Sequence, residues 1–436
     1  MTMADSNLIT GITPQINADQ AQEIASTLDL RSPPAVFYSN PYPVYAALRE
    51  FEPVRRMPDY SVLITRYKDL IQVYKDAHTF SSDKKIEFTP KFGDAPHLLE
   101  HHTTSLIFND PPLHTQVRQI MMGALTRRAI DQMEASLSEL VAKLADHIEE
   151  QSGGDLIEDF AAAIPIEVIG NLLNIPHEER GPLRDWSLAI LGALEPKISD
   201  TQAQRGDLAV AEFLEYLKSL VADRRANPGD PQSDVLTRLI QGERSDNGER
   251  LSENELLHNC IFILNAGHET TTNLIGNALV ALQEWPEQKE LLIKRIRESQ
   301  HNKEVLDEVL NTAVDEFLRF ESSNQLGNRR ATVDCVVGDV LLPKGSLITL
   351  CIGSANRDPA QFERAEEMDI SRPNCKHLSF AFGIHQCAGL HLARLEGRVA
   401  LQIFLQRFPN YKLTAAPTRG GRARFRGFLN APFSIN

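Results

Sequence analysis

Phe380-Ala381-Phe382-Gly383-Ile384-His385-Gln386-Cys387-Ala388-Gly389 sets a lone cysteine between two glycines, directly ahead of a helix-forming run of Leu, Ala and Arg. A thiolate at a helix N-terminus is stabilised by the free N–H groups and the positive end of the helix dipole. Such a thiolate serves as a nucleophile or as a metal ligand. An isolated cysteine is ordinarily inert core packing. Here the flanks argue otherwise: glycines allow close backbone approach to a flat ligand and free N–H groups to point at sulfur.

The segment fits the pattern F-x-x-G-x-H/R-x-C-x-G at Phe380, Gly383, His385, Cys387 and Gly389. In this it resembles the haem-binding loop of the cytochromes P450. The resemblance implies Cys387 as the axial ligand of haem b, with Phe380 and Gly389 against the cofactor.

Ser252-Glu253-Asn254-Glu255 is a capping box, and an apolar run leads from it to Ala266-Gly267-His268-Glu269-Thr270-Thr271. Glycine, an acid and two threonines inside an apolar helix run against helix propensity, and local conflicts of this kind are expected at functional sites. The stretch resembles the family's distal motif A-G-x-[DE]-T, where the helix kinks over the iron. The resemblance implies that Glu269 feeds protons and Thr270 assists oxygen activation. A plainer reading bonds Thr270 back to a carbonyl one turn earlier and leaves Glu269 in solvent.

Glu316 and Arg319 lie one helical turn apart, a spacing common in surface ion pairs. By resemblance they are instead the buried E-x-x-R pair beneath the proximal loop, completed by Arg372 in Asp369-Ile370-Ser371-Arg372-Pro373. Met368 stands where the family usually has Phe. In Asn109-Asp110-Pro111-Pro112, two prolines end an extended stretch and start a helix, which puts His114 and Arg118 on one face. Two cationic donors on one face suit an anion. The resemblance makes them ligands of the haem propionates, together with Arg329, His377 and His385. His377 has the simpler alternative of capping its own turn.

The chain has 436 residues, 42% of them hydrophobic, enough to bury a large core. No linker divides it convincingly, so we expect one domain over 1–436, with 1–30 a poorly defined N-terminal segment. The five cysteines suggest neither a disulfide framework nor a zinc site. Residues 1–19 are polar, with no signal core or membrane anchor; together with the cysteine usage this points to a cytoplasmic protein and a bacterial member of the family. A net charge of −14 argues against nucleic acid. It leaves room for a local basic patch, and Arg127, Arg128, Lys376, Arg394 and Arg398 come from segments expected around the proximal face. The resemblance implies a small ferredoxin or a flavodoxin there as electron donor, since no reductase follows the haem segment.

Hydrophobic periodicity predicts helices at about 41–50, 112–126, 130–150, 163–173, 206–226, 252–284, 287–299 and 306–320, and one after Cys387 to about 406. Hairpins are expected at 53–66 and around Gly338-Asp339. The fold class is thus mainly α with a small β region, and the resemblance implies a haem between a long distal helix and the proximal Cys loop. Segments 82–108 and 187–205 read as long loops, which in compact proteins are usually functional lids.

Phe262, Asn265 and Ala266 should face the distal pocket. Where the family commonly reads E-S-P-V-Q, this chain has Glu321-Ser322-Ser323-Asn324-Gln325. Asn265 and Asn324 either present amides to an oxygen function on the substrate or satisfy nearby backbone. The expected activity is insertion of one atom of O2 into a C–H bond of a small hydrophobic substrate. Peroxygenase or isomerase chemistry, or haem-based sensing, are the alternatives; the Glu269-Thr270 pair argues against both.

Overall fold

The computed structural model describes residues 13–231, 234–241 and 251–435. Its axis is the helix Glu253–Glu284. Ser252 Oγ accepts from the Glu255 amide, and the Glu255 carboxylate accepts from the Ser252 amide, so the expected capping box is formed. Most of this helix is buried, packed against helices Ala163–Leu172, Leu183–Gly192, Asp200–Ala226 and Leu390–Arg407. Burial on all sides explains why its sequence carries apolar residues around the whole circumference. Gly267 is needed for this packing, because a Cβ there would lie 2.7 Å from Ile169 Cδ1.

Helices Tyr42–Phe51, Leu113–Ala124, Glu134–Gln151, Pro286–Ser299 and Lys303–Phe320 fall where periodicity places them. The β region includes a five-stranded sheet in the order Val54–Arg56, Val62–Ile64, Leu347–Cys351, Leu326–Ala331, Phe80–Ser81. Val62–Ile64 and Leu347–Cys351 run parallel; the other neighbours are antiparallel. The hairpin Cys335–Val337/Val340–Leu342 turns at Gly338, whose φ of 56° suits glycine.

Three expectations are corrected. Segment 82–108 contains helices Lys85–Phe92 and Pro96–Thr104 and a 3₁₀ turn Leu106–Phe108. Segment 187–205 continues helix Leu183–Gly192 and enters Asp200–Ala226. Segment 82–108 is short on clean periodicity because its helices are brief, and in 187–205 one helix ends and another begins. Residues 18–27, inside the segment expected to be poorly defined, form a helix capped by Asn17 and Gln20; residues 1–12 lie outside the described residues.

The C-terminal strands Thr418–Arg419 and Phe428–Asn430 pair and project the turn 420–427 back onto the core. Burial alone would push the Glu321 carboxyl up, but Arg426, Arg419 and Arg357 outweigh it and hold it down at about 2. This cluster fixes the turn to the end of helix Lys303–Phe320.

Candidate haem-thiolate site

Two left-handed residues shape the cysteine loop: Ala381 at φ 54° and Gly383 at φ 75°. A Cβ on Gly383 would collide with the Tyr74 carbonyl, so the glycine is required twice over. The Cys387 amide donates to the Phe380 carbonyl at 2.9 Å, closing the loop ahead of helix Leu390–Arg407, whose cap is Gly389. Burial pushes the Cys387 thiol up; the Gly389 N–H and the charges of Arg118 and Arg394 pull it down. A coordinating metal deprotonates such a thiol outright. A side chain at Gly389 would meet nothing within 4 Å, so that side of the loop is open to a ligand. Arg394 lies over the Phe380 ring at 5.0 Å.

Below the loop, Arg319 donates to both oxygens of Glu316 at 2.7 and 2.8 Å, and Arg372 Nε donates to Glu316 Oε2 at 2.9 Å. Arg319 also donates to the carbonyls of Asn356, Ala365 and Glu367, and Arg372 to that of Glu363. All three side chains are buried, and each has its partners. This is the condition under which buried charges are tolerable.

The rings of His114 and His385 pack against each other, tilted by 52°, with centroids 4.1 Å apart. Both nitrogens of His114 and Nε2 of His385 are buried without partners among the described residues. Burial, then the charge of Arg118, brings His114 to about 4; His385 is pushed down by burial and by Arg329. Arg118 donates to the Gln386 carbonyl at 2.7 Å, next to Cys387. Arg329 is buried, packed over the Tyr74 ring at 5.4 Å, and also near enough to lower His385. Unpartnered imidazoles flanked by two guanidiniums fit the carboxylates of a haem. His377 does not belong with them. Its Nε2 lies 3.3 Å from Asp315, and Nδ1 accepts the Ser379 amide at 3.2 Å, so it caps its own turn.

Along the distal helix, Phe262, Ala266 and Thr270 form one open row on an otherwise buried element. Thr270 Oγ donates to the Ala266 carbonyl at 2.6 Å, the back-bond foreseen as the plainer reading. The helix runs without interruption through this point. Glu269 is buried, contrary to the solvent alternative; one oxygen pairs with Arg422 and the other, Oε2, has no partner among the described residues. Burial raises its carboxyl above the usual range, with Arg422 opposing. Asn265 Nδ2 is 3.4 Å from His101 Nε2, while Asn265 Oδ1 and Asn324 Oδ1 are unpartnered among the described residues, so backbone does not satisfy these amides.

Sequence reasoning missed Arg422, Arg424, Glu195, Lys84 and His101. The stretch Arg419-Gly420-Gly421-Arg422-Ala423-Arg424-Phe425-Arg426 was the available signal, since four arginines in a glycine turn need anions nearby. The Glu195 carboxylate accepts from the Ala423 and Arg424 amides, and Lys91 Nζ donates to the Glu195 carbonyl at 2.7 Å.

The described residues thus carry a cysteine loop flanked by unpartnered imidazoles, and a distal helix with a buried acid beside an alcohol. The sequence model of the family Cytochrome P450 matches residues 191–418. The chain is 35% identical over 393 residues to cytochrome P450 107B1 of Saccharopolyspora erythraea, covering 86% of this chain and 89% of that protein. It is 33% identical to the polyketide biosynthesis cytochrome P450 PksS of Bacillus subtilis, covering 87% of this chain and 91% of that protein. Among solved structures, P450BioI in complex with a hexadec-9Z-enoic acid-ligated acyl carrier protein superposes with a TM-score of 0.83 at 30% identity, over 92% of this chain and 99% of that one. The chain belongs to the cytochrome P450 family. It is therefore a haem-thiolate monooxygenase that uses O2, an organic substrate and a redox partner. No helix among the described residues is long and apolar enough to cross a membrane.

Proposed function

We propose that Cys387 is the iron ligand, that His114, Arg118, Arg329 and His385 hold the haem propionates, and that Glu269 and Thr270 handle protons. Phe380 and Gly389 border the cofactor, and Glu316, Arg319 and Arg372 brace the loop. The unpartnered, buried Oε2 of Glu269 carries this reading of the relay: while Oε1 is held by Arg422, Oε2 stays free to carry a proton one residue before an alcohol on the open row. The haem supplies the oxidising chemistry, favoured by electron donation from the thiolate. Glu269 holds a proton on Oε2 and passes it towards Thr270 Oγ. While Thr270 donates to the Ala266 carbonyl, its oxygen remains an acceptor; rotation about χ1 frees the O–H to donate into the pocket.

Phe262 and Ala266 shape the hydrophobic part of the substrate site, and Asn265 and Asn324 offer amides to polar groups. If Asn265→Leu and Asn324→Val leave substrate affinity unchanged, those amides have no part in recognition. Glu269→Gln and Thr270→Ala should each lower product formed per reductant consumed and raise hydrogen peroxide release; full coupling in both would overturn the relay.

The electron donor in this reading is a ferredoxin or flavodoxin, docking near exposed Arg127, Arg128 and Lys376. Arg394 and Arg398 contribute less, being engaged with Asp315 and with Asp307 and Glu134. A single domain in the cytoplasm is consistent with the free cysteines among the described residues.

A further inference from the structure

Two cations near strand Leu326–Ala331, Lys84 and Arg424, have no carboxylate within hydrogen-bond distance of their side chains among the described residues. Lys84 precedes helix Lys85–Phe92 and is only 4% exposed, yet it makes no side-chain hydrogen bond among the described residues. The nearest carboxylate oxygen, Glu87 Oε1, is 3.9 Å away and already accepts from Arg330 at 3.0 Å. Arg424, half-buried in the C-terminal turn, gives its guanidinium donors to neutral groups: the carbonyls of Leu194 and Leu326 and the Asn328 side chain. The Glu195 carboxylate beside it is committed to backbone amides.

Lys84 follows strand Phe80–Ser81, which pairs with Arg330 and Ala331, and its charge reaches His385. Arg424 adjoins Phe425, which bridges to Asn324, one of the residues proposed above for the substrate site. A buried ammonium whose one carboxylate neighbour lies 3.9 Å away and is shared with Arg330 is poorly compensated unless a further anion completes it.

We infer that Lys84, backed by Arg424, is a carboxylate-binding cation, and that the substrate class of this enzyme is a hydrophobic molecule bearing a carboxylate. The inference rests on the haem-monooxygenase reading and adds the chemistry of the substrate's polar end. Burial lowers the Lys84 ammonium to about 8; Glu87 opposes this, and Arg329, Arg424 and Arg330 add to it. An incoming carboxylate offsets the repulsion and supplies charge-assisted hydrogen bonds. A haem propionate carries the same group, so the test must separate the two sources.

The probes are a homologous series of ω-(imidazol-1-yl)alkanoic acids and their methyl esters, added to holoenzyme that already shows its carbon-monoxide band. The imidazole anchors each probe on the iron, so the Soret shift reports affinity whatever the natural substrate. In wild type, the best acid should bind at least about tenfold tighter than its ester, the scale of one retained ionic contact. Lys84→Met should bring the ratio close to one without changing haem content, and Lys84→Arg should keep the preference. A wild-type ratio near one for every length, or a preference that survives Lys84→Met, overturns the inference. Loss of haem from Lys84→Met with the acid preference intact assigns Lys84 to a propionate and overturns it too. If Lys84→Met does not fold, the wild-type ratio and Lys84→Arg still decide.

Discussion

Glu269 is held between opposing influences: burial favours its neutral form, and Arg422 favours the carboxylate. Arg422→Met removes the opposing cation, so the Glu269 pKa should rise further and the carboxylate should form only at higher pH. The pH dependence of coupling, measured as product per reductant consumed, should move upward by about one unit or more. An unchanged profile would mean that Arg422 does not govern this acid. Glu396 is a second buried carboxyl, raised by burial to about 8, with Oε2 unpartnered among the described residues. Its folded-state pKa exceeds the unfolded value, so the unfolded chain sheds this proton first. The protein therefore loses stability as pH rises from about 4.5 towards 8, by at most ~3 kcal/mol at neutral pH. Glu396→Gln should flatten this slope in urea denaturation between pH 5 and 8; an identical slope would show that Glu396 ionises freely in the fold.

At the scale of elements, the proximal loop depends on the helix beneath it. Glu316 accepts from two arginines whose remaining donors secure the surrounding carbonyls. Glu316→Ala leaves both guanidiniums buried and uncompensated, and should cost about 3–5 kcal/mol, with loss of haem during purification; a variant that keeps its haem and its thermal midpoint would contradict this. These motifs were legible because each combines fixed residue types with a short spacing inside one element. The long distal helix was legible from its capping box and apolar run. The brief helices of 82–108 and the helix junction in 187–205 were not, since tertiary packing rather than a local pattern decides their conformation. Arg422 and Glu195 were hidden for a similar reason: both reach the site from distant segments, and the sequence order gives no sign of their meeting. For His377 the sequence left two roles open, and its hydrogen bonds to Asp315 and the Ser379 amide, which only the folded turn brings to it, favour the capping one.

For the whole molecule, a net charge of −14 coexists with an exposed basic group at Arg127, Arg128 and Lys376. Local charge, not the total, governs encounter with an acidic donor. Reversing Arg127 and Arg128 to Glu should raise KM for the donor several-fold and weaken its salt dependence. Carbon-monoxide binding after chemical reduction should be unaltered; an unchanged KM would place the docking face elsewhere. All of this presupposes Cys387 on the iron. The measurement that tests this most directly is the absorption spectrum of the reduced, carbon-monoxide-bound protein, wild type beside Cys387→Ala. We expect a thiolate-type Soret band in wild type and its loss in the variant. A histidine-type band in wild type, or a thiolate band that survives the substitution, would contradict the assignment.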